Sequence, residues 1–479
     1  MSAALRIRDL SIRSATGEPL VNGVSLEVPH SGSLTLVGET GSGKSLVSQA
    51  ILGLLPRGMR AEGEITVNGQ TIAAGDIPAL RRIWARETMI LPQEPGSALD
   101  PTMRLLPQLS EIGGRRRALR AMAEVDLAEA TGRSWPHALS GGMAQRGLVA
   151  MVLTSDAGLV VADEPTKGLD PHRVTLAVQL LAGLRDSGRA LLTITHDLSV
   201  ARGLGGTLAV LRDGRIVEAG PAERLLTAPE QRYTRDWLEA DPSGWVRRRD
   251  APVPEPVLTA DRVAFCHPRQ APLTPPVTLS LGRGEIVGLC GASGCGKTTF
   301  GNVLLGLHAP HSGSIGWQGG ADPYHDAQFC RPLRRRYQKL HQDPVRAFVP
   351  SRPLARQFDD LRAVLPGIDL RDALAPLLDR LSLRPALLHR LPGEISGGEV
   401  QRMAIARLLL LDPMMIVADE PTSRLDPIVQ RDVIDLLLSL ADERGLGLIL
   451  ISHDDALLQA VANRTIDLGQ SPDRARNSA

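Results

Sequence analysis

The sequence predicts an α/β protein in which one domain type, a parallel-sheet core with a helical subdomain, occurs twice in tandem. Three observations carry that expectation. Four motifs recur in the same order in the two halves, short apolar β-prone runs alternate with helical stretches in each half, and a proline-spaced segment divides the copies.

The repeat comes first. A glycine-rich loop of Gly38, Glu39, Thr40, Gly41, Ser42, Gly43, Lys44 and Ser45 is answered by Gly291, Ala292, Ser293, Gly294, Cys295, Gly296, Lys297 and Thr298, so that Lys297 follows Lys44 by 253 positions. LSGGMAQR at 139–146 recurs as ISGGEVQR at 395–402, and VADEPT at 161–166 as VADEPT at 417–422, each displaced by 256. His196 and His453 then follow at matching places. Four motifs, twice, at nearly constant displacement, are a duplication.

Apolar runs at 34–37, 159–162 and 191–195, and again at 286–290, 414–418 and 448–451, read as strands buried on both faces of a parallel sheet. Residues 83–134 and 334–389, rich in Leu, Ala and Arg, read as helical subdomains. The expected boundaries are a first domain over 1–240, a linker over 241–257, a second domain over 258–470 and a polar, disordered tail over 471–479. The linker contains Pro242, Pro252, Pro254 and Pro256 with Arg247, Arg248 and Arg249, which predicts a semi-rigid spacer.

Composition excludes several classes of function. The chain has 479 residues, 43% hydrophobic and 22% charged, the make-up of a globular protein. With 54 basic against 53 acidic residues the net charge is +1, so no overall basic footprint for nucleic acid exists and no nucleic-acid partner is expected. No apolar stretch is long enough to span a bilayer; residues 408–417 are interrupted by Asp412 and Pro413. Residues 1–13 carry Arg6, Arg8 and Arg13 among alternating apolar positions and read as a first strand rather than a secretory signal. Cys266, Cys290, Cys295 and Cys330 form no CxxC pair, which argues against a zinc ribbon and fits a reducing cytoplasm.

The chemistry follows from spacing. G-x-x-x-x-G-K-[ST] between a strand and a helix turns successive backbone N–H groups toward the phosphates of a nucleotide, with the helix N-terminus adding partial positive charge. Lys44 and Lys297 add point charges, and the hydroxyls of Ser45 and Thr298 are expected to ligate Mg²⁺. Each VADEPT run places two acids at the carboxyl end of a buried strand. Asp163 and Asp419 are expected to hold Mg²⁺ through water, and Glu164 and Glu420 to act as general bases on the attacking water. His196 and His453, about thirty residues further on, are placed to hydrogen-bond the γ-phosphate. The cofactors expected are ATP and Mg²⁺.

The LSGGxxQR elements, taken with these motifs, resemble the signature of ABC ATPases, and the resemblance covers nearly the whole chain. It implies two P-loop NTPase domains in which the signature of one closes over ATP held by the other, either between the two halves of one chain or between two chains. One site would join Lys44, Ser45, Gln93, Asp163, Glu164 and His196 to Ser396, Gly397 and Gly398. The other would join Lys297, Thr298, Gln342, Asp419, Glu420 and His453 to Ser140, Gly141 and Gly142. The resemblance assigns Gln93 and Gln342 to both the catalytic and the Mg²⁺-binding sets, and Asp170 and Asp426 to the family's D-loops. Because both halves retain Glu and His, two hydrolytically competent sites are expected. The aromatic that usually stacks on adenine would align near Ser14 and His267, and neither is a tyrosine. Cys295 sits within the second loop as a small residue tolerated where backbone does the binding.

The segment from Gln93 to Pro101, Gln342-Asp343-Pro344 with Pro350, the run from Arg212 to Gly220, and Tyr233-Thr234-Arg235 resemble the dipeptide, oligopeptide and nickel importer ATPases. In that family two different ATPases pair beneath two permeases; here they are fused. The implied partners are two transmembrane permease subunits and, indirectly, an extracytoplasmic substrate-binding protein. The implied location is peripheral, on the cytoplasmic face of the inner membrane. No Cys-rich extension follows Tyr233 or His453, which inclines the cargo toward nickel or metal chelates rather than peptides. The alternatives are a fused ATPase of a soluble complex, resembling those of carbon-phosphorus lyase systems, and a translation-associated double ATPase. The latter family carries a charged helical insert where this chain has a short proline-rich segment.

Overall fold

A computed structural model describes residues 3–39, 41–84, 86–92, 98–166, 171–248, 255–266, 273–292, 294–422 and 425–469. Thr40, Gln93, Asp170, His267, Ser293 and the expected tail 471–479 lie outside the described residues. The chain divides into two compact units, Met1–Glu239 and Ala240–Ala479.

In the first unit a six-stranded sheet runs in the order Arg215–Pro221, Thr207–Arg212, Ser33–Gly38, Ala190–Ile194, Leu159–Asp163, Thr88–Leu91. All neighbours are parallel except the outer hairpin of Arg215–Pro221 with Thr207–Arg212. Ser33–Gly38 and Ala190–Ile194 are buried at every residue, as strands covered on both faces must be. A second, antiparallel sheet of order Pro19–Pro29, Ala3–Arg13, Arg60–Val67, Gln70–Ala73 packs on the first. Leu5, Ile7, Leu10 and Ile12 of its second strand share one core with Leu34, Leu36, Leu159 and Val161. The helical subdomain is built from Leu105–Gly113, Arg115–Glu124 and two 3₁₀ turns, which lead into the helix Gly141–Thr154. Leu105, Leu109, Ala118, Met122, Leu148 and Val152 form its core.

The second unit repeats the plan. Its five-stranded sheet, Tyr337–Leu340, Met415–Asp419, Gly447–Ile451, Ile286–Cys290, Arg464–Asp467, is parallel throughout and matches the five parallel strands of the first unit in order. A three-stranded antiparallel sheet, Val277–Gly282, Pro256–Ala264, Ser312–Trp317, covers it. Helices Leu354–Asp359 and Leu370–Arg380, with intervening 3₁₀ turns, form the helical subdomain ahead of the helix Gly397–Leu409.

Within the stretch read as a linker, residues 241–248 lie against the second unit. Trp245 packs on that unit's core, the Arg248 backbone N–H donates to Ala460 O at 2.8 Å, and the Arg248 guanidinium pairs with Asp442. Pro256 already opens a strand, and residues 249–254 lie outside the described residues. Among the described residues no helix is long and apolar enough to cross a membrane.

Candidate active sites

Each candidate site is assembled at the carboxyl end of a parallel sheet. In the first unit the strand Ser33–Gly38 turns into the helix Lys44–Ile51 through the glycine-rich loop. Gly38 and Gly43 sit at φ 151° and 101°. A Cβ on Gly38 would lie 2.0 Å from Leu211 O, and one on Gly43 2.9 Å from Val21 Cγ2, so both positions require glycine. The second unit copies the turn between Ile286–Cys290 and Lys297–Leu304, where a Cβ on Gly296 would meet Phe265 at 2.7 Å. In both units the lysine folds back across its loop. Lys44 Nζ donates to Gly38 O at 2.7 Å and Glu39 O at 2.6 Å; Lys297 Nζ donates to Gly291 O at 2.8 Å and Ala292 O at 3.2 Å.

The strands Leu159–Asp163 and Met415–Asp419 bring the acids to the same end. In the first unit Asp163 accepts from Ser45 Oγ at 3.3 Å and from Ser48 Oγ at 3.0 Å. Burial raises the Asp163 carboxyl above its ordinary range, the Ser48 hydrogen bond acts against that, and the neighbouring Glu164 charge adds to it. In the second unit Asp419 accepts from Thr298 Oγ1 at 3.0 Å and pairs with Lys339 Nζ at 2.9 Å.

Glu164 and Glu420 are the next residues along, and both adopt left-handed backbone, at φ 48° and 46°. A non-glycine residue costs of order 1–3 kcal/mol there, and the same strain in both copies marks a shared constraint. Their backbone N–H groups donate across the sheet end to Ile194 O at 2.7 Å and Ile451 O at 3.0 Å, which holds the turn. Each carboxylate then meets its histidine. Glu164 lies 2.8 Å from His196 Nδ1; Glu420 lies 2.7 Å from His453 Nε2 and also accepts from Gln342 Nε2 at 2.6 Å. His453 presents its other nitrogen, Nδ1, to Lys297 Nζ at 3.4 Å. The structure thus collects Lys44, Ser45, Asp163, Glu164 and His196 in one unit and Lys297, Thr298, Gln342, Asp419, Glu420 and His453 in the other.

The signature residues lie elsewhere in each unit, at a helix start. Ser140 caps Gly141–Thr154 by accepting the Met143 N–H at 3.3 Å. Ser396 caps Gly397–Leu409 through Glu399 N–H at 3.3 Å, and Glu399 returns a bond to the Ser396 N–H at 2.9 Å. Gly142 has open space where a Cβ would stand, whereas a Cβ on Gly398 would come 2.7 Å from Val429. Asp426 caps the helix Pro427–Arg444 by accepting the Val429 N–H at 3.1 Å.

The family model described as ABC transporter matches this chain twice, over residues 21–167 and 275–423. The chain belongs to the ABC transporter family. It is similar along nearly its whole length to ATP-binding proteins of that family. The peptidoglycan transport ATP-binding protein YejF of Agrobacterium fabrum is 35% identical, the match covering 96% of this chain and 90% of that protein. The glutathione import ATP-binding protein GsiA of Salmonella typhi is 31% identical, over 93% of this chain and 81% of that one. Among solved structures, the archaeal ribosome recycling factor aABCE1, crystallised with the ribosomal stalk protein aP1, covers 97% of this chain at a TM-score of 0.65. At 20% identity that is a likeness of fold alone. As an ABC ATP-binding protein the chain binds ATP and hydrolyses it in the service of transport, which makes it the energy-coupling subunit of its transporter.

Three contacts of this ABC chain are not evident from motif spacing. Ser48 reaches Asp163 from one turn beyond Ser45, a helical i, i+3 relation the sequence does contain. Lys339 reaches Asp419 from the adjacent strand, a contact set by strand register that no local pattern signals. The Tyr233 hydroxyl lies 3.2 Å from the backbone N–H of Glu39 in the first loop, and Arg212 stacks on the Tyr233 ring at 4.7 Å. Ser14, near which an adenine-stacking residue was expected to align, is part of a polar turn, its hydroxyl bonded to Thr16 Oγ1 at 2.8 Å.

Proposed function

We propose that this chain powers the uptake of short peptides through two transmembrane permease subunits supplied by an extracytoplasmic substrate-binding protein, working from the inner face of the cell membrane. The observation that supports this reading best is a matching set of loop lysine, hydroxyl, paired acids and histidine in each half of one chain, joined to end-to-end similarity with ATP-binding proteins named for peptidoglycan and glutathione transport. Those names weigh for a peptide cargo over nickel or metal chelates.

The residues fit MgATP. The loop N–H groups and the ammoniums of Lys44 and Lys297 would receive the β- and γ-phosphates, and Ser45 with Asp163, and Thr298 with Asp419, offer adjacent oxygen donors of the kind Mg²⁺ accepts. Mg²⁺, when bound with the nucleotide, neutralises charge on the phosphate oxygens. Glu164 and Glu420 act as general bases. Each takes a proton from a water whose oxygen forms the new bond to the γ-phosphorus as the bond to the β,γ-bridging oxygen breaks, releasing ADP and phosphate. His196 and His453, held by those same carboxylates, orient the γ-phosphate oxygens. Gln93 and Gln342 complete the two sets and lie in the segments that would face the permeases. Ser140, Gly141 and Gly142, and Ser396, Gly397 and Gly398, each begin a helix and would serve as a second anion contact for nucleotide held by a half of the other kind, in the same chain or in a second copy. ATP drives the cycle only by its greater affinity for the closed form.

The test is co-purification of the tagged full chain with its membrane partners, followed by reconstitution in vesicles. Two permeases, and ATP turnover stimulated by a short peptide with its binding protein, are the expected result. Stimulation by a nickel chelate alone would transfer the proposal to that cargo. Recovery with only ribosomes or soluble enzymes would overturn the importer role.

A further inference from the structure

The chain uses fifty arginines and only four lysines: Lys44, Lys167, Lys297 and Lys339. Two of them are the phosphate-loop lysines. At those two positions a compact point charge serves in place of a planar guanidinium. Lys339 lies in the edge strand Tyr337–Leu340, and its ammonium sits 2.9 Å from Asp419 Oδ2 and 2.9 Å from Asn302 Oδ1. The pair is nearly closed to solvent, with the Lys339 side chain 12% and the Asp419 side chain 7% exposed.

Among the described residues the first unit has no such cation at the matching place. In the parallel pairing of edge strand with acid-bearing strand, Lys339 stands opposite Val417 and Ile90 opposite Val161, each two residues before the metal-side aspartate. Ile90 therefore occupies the position of Lys339. Asp163 is met there by hydroxyls, from Ser45 and Ser48, which carry no net charge. Asp419 shares its charge with an ammonium in a setting where water screens little.

We propose that Lys339 is a built-in competitor for the divalent cation at Asp419, so that the two nucleotide sites of this chain differ in metal affinity, the second being the weaker. The inference rests on the MgATP reading of these sites. A divalent ion arriving with nucleotide at the second site must share Asp419 with the ammonium or displace it toward Asn302. At the first site Asp163 is held by two hydroxyls and feels the Lys44 charge from further off, and among the described residues no ammonium is bonded to it. The difference expected is about tenfold, or about 1.4 kcal/mol, a modest part of the attraction between two close charges in a poorly screened site.

The experiment is a Mn²⁺ titration of the full chain loaded with a non-hydrolysable ATP analogue, read by electron paramagnetic resonance of free Mn²⁺. Wild type is expected to show two classes of site about tenfold apart. Lys339→Ile, which copies the first unit, should merge them at the tighter value, and Lys339→Arg should keep them apart. Ile90→Lys should weaken the tight class and merge the two at the looser value; this variant decides the matter if Lys339→Ile does not fold. Equal classes in wild type that neither Lys339→Ile nor Ile90→Lys alters would overturn the inference while leaving the ATP sites standing. Failure of the wild-type chain to bind the analogue at all would overturn the nucleotide reading and this inference with it.

Discussion

The two units place matching lysine, hydroxyl, acid and histidine side chains at the ends of the same five-strand order, yet they balance the charge of the aspartate differently. In the first, Asp163 is held by two serine hydroxyls and Glu164 by His196. In the second, Asp419 has an ammonium partner, Lys339, while Glu420 meets its histidine as Glu164 does. Duplication kept what the reaction needs at the strand ends, while the residues one layer behind diverged. The lesson is that motif identity certifies the chemistry a site can attempt, and the supporting shell sets the affinity and pH at which it works.

The largest effect expected is on turnover. Replacing both bases, Glu164→Gln with Glu420→Gln, should lower ATP hydrolysis by at least about 100-fold, the contribution of a positioned general base, while ATP binding persists. A steady-state phosphate-release assay beside a nucleotide-binding measurement checks both halves of that statement.

The next contrast concerns stability without nucleotide. Asp419→Asn leaves the Lys339 ammonium in a nearly closed site without its carboxylate and should cost about 3 kcal/mol. Asp163→Asn removes a carboxylate whose pKa is raised by burial and should cost little at pH 7. The pH dependence has a definite sign. With its folded-state pKa above the unfolded value, Asp163 favours the native state fully below the ordinary carboxylate range and loses that contribution as pH rises through the raised pKa. The Asp163→Asn variant should therefore gain on wild type as the pH is taken from about 4 to 7. Urea midpoints at the two pH values test this; a gain of the same sign and size in Asp419→Asn would erase the contrast.

A smaller effect is expected at Tyr233. Tyr233→Phe removes the hydroxyl beside the Glu39 N–H and should cost about 1 kcal/mol, seen as a modest drop in thermal stability and a few-fold weaker nucleotide binding at the first site only. An equal loss at the second site would show that the hydroxyl acts through global stability.

The sequence made some of this legible and hid the rest for physical reasons. Parallel strands such as Ala190–Ile194 are buried on both faces and so appear as unbroken apolar runs. The phosphate loops, the paired acids and the helix-start serines depend on neighbours within a few positions, which is why spacing alone points to them. Lys339 and Asp419 are brought together by strand register across 80 residues, and Tyr233 meets Glu39 across 194, distances over which no local pattern carries information. The alternation in Ala3–Arg13 predicts a strand, but its partners Pro19–Pro29 and Arg60–Val67 emerge only when the antiparallel sheet is seen. Trp245 and Arg248, in a proline-spaced stretch read as linker, bind the second unit through an indole and a guanidinium whose partners lie far along the chain.

The measurement that tests the central claim most directly is ATP hydrolysis by the two single variants, Glu164→Gln and Glu420→Gln, assayed in the full chain with its membrane partners. Two working sites predict that each variant alone lowers turnover substantially below wild type. Wild-type turnover in either one would contradict the account, because it would make that half a binding site for nucleotide and leave the whole reaction to the other.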